Sequence, residues 1–205
     1  MRILVMALLL VLPVSAQYYN RHNINLMVGA GLPRADLRER FSDSALVGVD
    51  YGFRFHRNLQ VDAGFDTVFG AAGVNDWLPS QFGNLRIRDF QTFVPFGGRV
   101  ILPLAEERVH IYGGLGGVYM RYAERISQPY QDFRVPCDYC AARDGFGYYG
   151  LFGVNVSFDR ARMFRFGAGT RMYRGHTSGD PLGAVPPRET TDRWLNIFGT
   201  VSFTF

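Results

Sequence analysis

The chain has 205 residues, a formal net charge of +4 and ordinary hydrophobic content, which limits it to one domain, or one domain with a targeting segment. Glycine (24), phenylalanine (18) and tyrosine (11) are all high, a composition that favours strands and turns over helices. All 22 basic residues are arginine and none of their runs is concentrated, which excludes nucleic acid as a partner.

The lack of lysine has two readings. One is codon bias in a GC-rich genome. The other is chemical: arginine pairs bidentately with phosphate, and phosphates cover a lipopolysaccharide surface.

From the N-terminus, residues 1–16 read as a secretory signal peptide. Arg2 supplies the positive end, Ile3 to Leu12 the short apolar run, and Val14-Ser15-Ala16 the small-residue cleavage pattern, so the mature domain is expected over 17–205. The apolar run stops at Pro13, short of the about 20 residues that cross a bilayer as a helix. No Cys follows it to carry a lipid. The mature chain is then either soluble beyond the inner membrane or a β-barrel.

Period-two alternation follows, over Ile24–Leu32, Ala45–His56, Leu59–Phe69, Phe90–Leu104, Val109–Tyr122, Tyr148–Phe158, Phe164–Tyr173 and Trp194–Phe205. In the third segment Leu59, Val61, Ala63 and Phe65 oppose Gln60, Asp62, Gly64 and Asp66; in the last, Leu195, Ile197, Val201 and Phe203 oppose Asn196, Thr200, Ser202 and Thr204. Gly-Gly pairs at 113–114 and 116–117 blur the phase of the fifth, and Pro95 predicts a bulge or kink in the fourth. The connections alternate long and short. Arg57-Asn58, Ala105–Arg108 and Asp159–Met163 are tight, whereas Pro33–Ser44, Gly70–Asp89, Ala123–Gly147 and Arg174–Arg193 are long. That asymmetry predicts an all-β fold, an eight-stranded antiparallel up-and-down transmembrane β-barrel.

Alternation alone does not say which face is inside. Asp50, Arg54, Asp62, Asp66, Arg99, Arg165 and Arg171 lie with glycine on the polar face, where a narrow lumen would pair them. An arginine facing lipid at midplane would instead cost about 2–4 kcal/mol. We therefore expect a lumenal charge network, not a pore. Tyr51, Phe55, Phe69, Tyr122, Tyr148, Tyr173 and Trp194 stand at strand ends, as amphipathic girdles do.

The closing run Val201-Ser202-Phe203-Thr204-Phe205 resembles the assembly signal of bacterial outer-membrane barrels, with Phe203 and Phe205 as its aromatic positions. From Ile24 to Phe205 the pattern resembles the small eight-stranded group typified by the transmembrane domain of outer membrane protein A. The resemblance implies integral residence in the outer membrane of a Gram-negative cell. The implied partners are the barrel-assembly machinery, outer-membrane lipids and lipopolysaccharide, with the protein a monomer.

Three further features carry possible chemistry. Cys137 and Cys140 form a CxxC in the third long loop. An oxidising compartment favours a short disulfide there, with a redox pair as the alternative. Strand parity puts His176 and Ser178 on the lipid side, with Glu189 in the same phase before the last strand. A nucleophile, base and orienter could meet there. His176-Thr177-Ser178 with Glu189 resembles the lipid A deacylases, eight-stranded barrels with a His-x-Ser motif after the seventh strand and a Glu before the eighth. This chain has Gly179 where that motif continues with Asn. His22, His56 and His110 lack metal-ligand spacing, so neither metal nor cofactor is expected. Gly113–Gly117 is no phosphate loop, since no helix follows it. The expected function is non-enzymatic, an envelope-structural or surface-interaction role through Arg-rich loops. A lipid A deacylase-type esterase and a narrow conduit for small hydrophobic molecules are the alternatives.

Overall fold

The computed structural model describes residues 20–205 apart from Phe82, 128–135, 138–139, 184–185 and 187–188. The expected signal peptide and its cleavage point lie outside the described residues. The strands are β1 (His22–Arg34), β2 (Ser44–His56), β3 (Leu59–Phe69), β4 (Trp77–Ser80), β5 (Gly83–Leu104), β6 (Val109–Ile126), β7 (Ala142–Ser157), β8 (Phe164–Gly179) and β9 (Thr190–Thr204).

All but β4 are barrel staves. They pair antiparallel in the order β3-β2-β1-β9-β8-β7-β6-β5, and a ladder between β3 and β5 joins the two ends of that series. The product is a closed eight-stranded antiparallel barrel, with β4 an outlying arm paired only to β5. The short connections 57–58, 105–108 and 158–163 lie at one end with Phe205; the long ones, 35–43, 70–82, 127–141 and 180–189, lie at the other.

Several staves outrun the expected segments at the long-loop end. β5 has 22 residues and β8 reaches Gly179, because the ladder continues above the apolar belt where the outward residues turn polar and alternation fades. Pro95 brings no register shift. It pairs with Val118 of β6, while the ladder to β3 lapses between Ala63↔Phe96 and Asp66↔Phe93. Proline has no N–H to donate to that neighbour, so the fault is a gap rather than a bulge.

The outer face is apolar. Val28 and Leu115 are 69 % and 74 % exposed, in a belt with Leu26, Phe96, Phe152 and Phe166. Gly114, Gly116, Val118 and Met120 share the inward phase of His110 and Tyr112, which resolves the phase of β6. Of the expected girdle, Tyr51, Phe55, Phe69 and Tyr148 do face outward. Tyr122, Tyr173 and Trp194 do not: all three are buried in the lumen. Tyr173 shares the phase of Arg171, and Trp194 that of Asn196, so the pleat turns both rings inward.

The hairpin 158–163 is set by a carboxylate. Asp159 accepts from the backbone amides of Met163 and Phe164 at 2.9 and 3.0 Å. Desolvation opposes the charged form, but these amides outweigh it and hold the carboxyl below its ordinary value of 3.8. A depressed carboxylate stabilises the fold above its unfolded pKa, and that contribution disappears as pH falls through the folded value. Asp159→Ala is therefore expected to unfold more readily than the parent at neutral pH. The two should converge in acid below the ordinary carboxylate range, as followed by urea denaturation at a series of pH values.

Candidate functional site in the lumen and at the outer rim

Eight strands leave an interior just wide enough for side chains to fill it. At its middle, Arg171 from β8 donates to Asp50 Oδ2 of β2 at 2.5 Å and to both oxygens of Asp66 on β3 at 3.0 Å. Arg99 from β5 donates to Asp62 Oδ2 at 2.6 Å and stands 3.6 Å from Asp50. Tyr173 and Gln60 complete the cluster, donating to Asp66 and Asp62, each at 2.6 Å. A side chain at Gly64 would strike the Asp50 carboxylate, and one at Gly48 would stand 2.7 Å from Asp66 Oδ1. Glycine is needed there to make room for charge.

Arg54 and Arg165 stand apart from that cluster, nearer the short-turn end. Arg54 donates through Nε to the carbonyl of Arg57 at 2.8 Å. Arg165 is within ion-pair distance of no described carboxylate. Of the seven residues expected in the network, the described ion pairs join Asp50, Asp62, Asp66, Arg99 and Arg171. Arg54 and Arg165 are both inward, but no acid occupies a lumenal position beside Arg165 on its neighbouring strands; Ser157 and Ser202 are its partners in register.

Above the charges comes an aromatic layer. Phe93 stacks on Tyr173 with ring centres 4.5 Å apart and meets Trp194 edge-on at 5.7 Å. The Trp194 indole donates to Tyr122 Oη at 3.0 Å. A 3-10 turn over Ala35–Glu39 drops Leu37 and Phe41 onto these rings, and Leu182 from the last long loop is buried in the same core. Arg143 then caps the lumen, donating to Thr177, Thr190 and the carbonyl of Pro186, while Asp192 accepts from both threonines. Sequence patterning missed this layer because its rings share their phase with charged residues lower in the same strands.

The outer rim of the long-loop end carries the second constellation. His176 and Ser178 both face outward on β8. His176 Nδ1 lies 3.5 Å from Glu189 Oε1 and 3.4 Å from Thr191 Oγ1. A carboxylate on Nδ1 leaves Nε2 to accept a proton, as a base requires. Ser178 makes no described hydrogen bond to His176. Directly below, Arg34, Arg193 and Arg174 occupy one row across β1, β9 and β8, in register as Arg34↔Arg193 and Arg193↔Arg174. The next outward row down is Leu32, Leu195 and Met172. None of the three arginines has an ion pair among the described residues. Cys137 and Cys140 are joined in a disulfide in the third long loop. No group of three or more metal-ligating side chains occurs among the described residues.

No family model and no curated protein matches the chain. Its architecture does match solved structures. Neisserial surface protein A is 10 % identical with a TM-score of 0.56, over 90 % of this chain and 97 % of the other. The outer membrane protein OprG from Pseudomonas aeruginosa is 14 % identical with a TM-score of 0.54, over 92 % and 97 %. The attachment invasion locus protein Ail of Yersinia pestis is 10 % identical with a TM-score of 0.50, over 91 % and 99 %. This is the fold of the small outer-membrane barrels. At such identities the likeness extends to the fold alone.

Breaking the central cluster is the sharpest test of this interior. Arg171→Leu strands Asp50 and Asp66 without their principal cation. It is expected to cost about 3–5 kcal/mol, the penalty for removing one partner of a buried pair. A fall in the urea midpoint, read by tryptophan fluorescence in detergent, measures it; an unchanged midpoint would remove the cluster from the account of stability.

Proposed function

We propose that the protein is exported and resides as an integral barrel in the bacterial outer membrane. There it has a structural, non-conducting role and engages the phosphates of surface lipid through outward arginines. The observation that carries this reading is the inversion of polarity. The barrel exposes a belt of large apolar side chains and buries its charges, an arrangement stable in lipid and costly in water. Residues Phe93, Tyr122, Tyr173 and Trp194 filling the upper lumen support a closed interior over a conduit. The arginine row immediately above Leu32, Leu195 and Met172 supports contact with anionic headgroups at the membrane boundary.

The protein should fractionate with outer membranes and migrate differently in SDS before and after boiling. Recovery in the soluble periplasmic fraction with identical migration would reject the reading. Reversing two charges, Arg174→Glu with Arg193→Glu, is expected to weaken lipopolysaccharide binding by at least about tenfold without abolishing the gel shift.

A second reading is favoured by the contact between His176 and Glu189. In it Ser178 Oγ attacks an acyl ester of the lipid, His176 Nε2 takes its proton and returns it to the departing alcohol, and water then hydrolyses the acyl-serine. Mass spectra of lipid A decide it. Cells expressing the parent should lose an acyl chain that His176→Ala or Ser178→Ala cells retain. Unaltered lipid A in parent cells eliminates the esterase.

A further inference from the structure

The connection from β3 to β4 is pinned against β5 by one buried carboxylate. Asp89 accepts from the backbone amides of Ala72 and Val74 at 2.7 and 3.1 Å and from Gln91 Nε2 at 2.6 Å. Gly70 donates its amide to the Asp89 carbonyl at 2.9 Å, and the Asp76 carbonyl accepts from the Ile87 amide at 2.8 Å. Gly70 and Gly73 make the bends at φ +70° and +69°, a conformation that other residues rarely adopt. Between this loop and β5 a cavity of about 370 Å³ remains. That volume falls near the lower end of the about 300–1,000 Å³ that small-molecule sites occupy.

Cations and aromatic rings line the cavity together. Arg86, Arg88 and Phe90 come from β5, in the outward phase that alternates with buried Leu85, Ile87 and Asp89. Phe69 of β3 meets Phe90 edge-on, with ring centres 5.7 Å apart. Asn75 lines the cavity from the loop and accepts from Arg86 Nε at 2.9 Å. One strand over, Arg125 of β6 stands directly opposite Arg88 in the ladder, its guanidinium 5.8 Å from the centre of the Phe90 ring. None of these three arginines has an ion pair among the described residues. Neither acid of this region answers them. Asp89 lines the cavity too, but both its oxygens are engaged by the loop amides. Asp76 lies across the ladder from Ile87, which puts it on the opposite face from Arg86 and Arg88.

Like charges directly opposite one another destabilise a sheet, and Arg88 faces Arg125 in that way. A doubly charged oxyanion offsets two guanidinium groups and can be held bidentately. The two phenyl rings set a different condition, since they favour an apolar group beside the charge. We propose that the cavity between the β3–β4 loop and β5 binds one phosphate monoester carried on a small apolar body. Arg86 and Arg88 donate to the phosphate, Arg125 adds its charge from the next strand, and Phe69 and Phe90 pack the body. Asp89 fixes the loop before the ligand arrives, so little ordering is left for binding to accomplish. A soluble phosphomonoester and a lipid with a monoester headgroup both offer this chemistry. Neither the row of Arg34, Arg193 and Arg174 nor the rim histidine takes part.

The test uses the full chain refolded in neutral detergent, with phenyl phosphate as the probe and calorimetry as the readout. One phenyl phosphate should bind per chain, at least about tenfold more tightly than inorganic phosphate, which lacks the body. Arg88→Gln alters an exposed side chain, so the gel shift on boiling should persist while affinity for the probe falls at least about tenfold. Phe90→Ala should erase the preference for phenyl phosphate over inorganic phosphate. Arg121→Gln, exposed on β6 but outside the cavity, should bind the probe as the parent does. Phosphatidic acid in mixed micelles identifies the source. Displacement of the probe assigns a lipid ligand and its retention a soluble one, and either result supports the site. Absence of saturable probe binding, equal affinity for phenyl phosphate and inorganic phosphate, or undiminished affinity in Arg88→Gln would overturn the proposal.

Discussion

In hydrocarbon a backbone N–H or C=O that lacks a partner has no water to turn to, so a sheet there survives only by closing on itself. Two seams do this. β1 and β9 pair from Asn23↔Thr204 to Arg34↔Arg193, and β3 and β5 from Leu59↔Val100 to Phe69↔Phe90. The remaining features descend from that closure. A ring of eight strands fixes a narrow bore, the pleat sends alternate side chains into it, and every group sent inward loses its solvent. The interior must therefore satisfy itself.

Different levels of the bore meet that demand differently. At the centre, Asp50, Asp62 and Asp66 share Arg99 and Arg171, and glycine on the same strands gives the guanidinium groups space. Above them stacking replaces pairing, with Phe93 flat on Tyr173 and Trp194 bonded to Tyr122. At the top, Arg143 is satisfied mostly by hydroxyls and carbonyls, which are weaker acceptors individually but present four oxygens at once. Toward the turn end, Arg165 Nε, Ser157 Oγ and His110 Nε2 have no described hydrogen-bond partner.

Much of this was legible in the sequence because a half-polar strand writes its orientation at every second residue. The stave positions, the long-short connections, the inward phase of Asp62, Asp66 and Arg171 and the outward phase of His176 and Ser178 all follow from that rule. What escaped it has a common cause: a period of two fixes a face but not a height, nor what stands across the bore. Tyr122, Tyr173 and Trp194 looked like girdle residues by their place at strand ends, yet phase overrides place. Arg165 looked like a network member by phase, yet its partners in register are Ser157 and Ser202 and not acids. The 3-10 turn that seats Leu37 and Phe41, and the β4 arm, lie where alternation had already lapsed.

The extension of the staves beyond the apolar belt also bears on where surface chemistry could reside. Had the ladder stopped at Tyr173 and Trp194, His176, Ser178, Glu189 and two of the row arginines would belong to long loops, with spacing free to vary. Instead β8 and β9 stay paired to Thr177↔Thr190, so His176 faces Thr191 and Arg174 faces Arg193 at fixed sheet distances. Like charges directly opposite one another destabilise a sheet. A rigid ladder that nonetheless sets Arg34, Arg193 and Arg174 side by side cannot relieve the repulsion by moving apart. The proposed lipid phosphate would relieve it, and the adjacent row of Leu32, Leu195 and Met172 would favour an anion that tolerates an apolar neighbour. A phosphorylated lipid satisfies both conditions at once, whereas a free ion in water satisfies only the first.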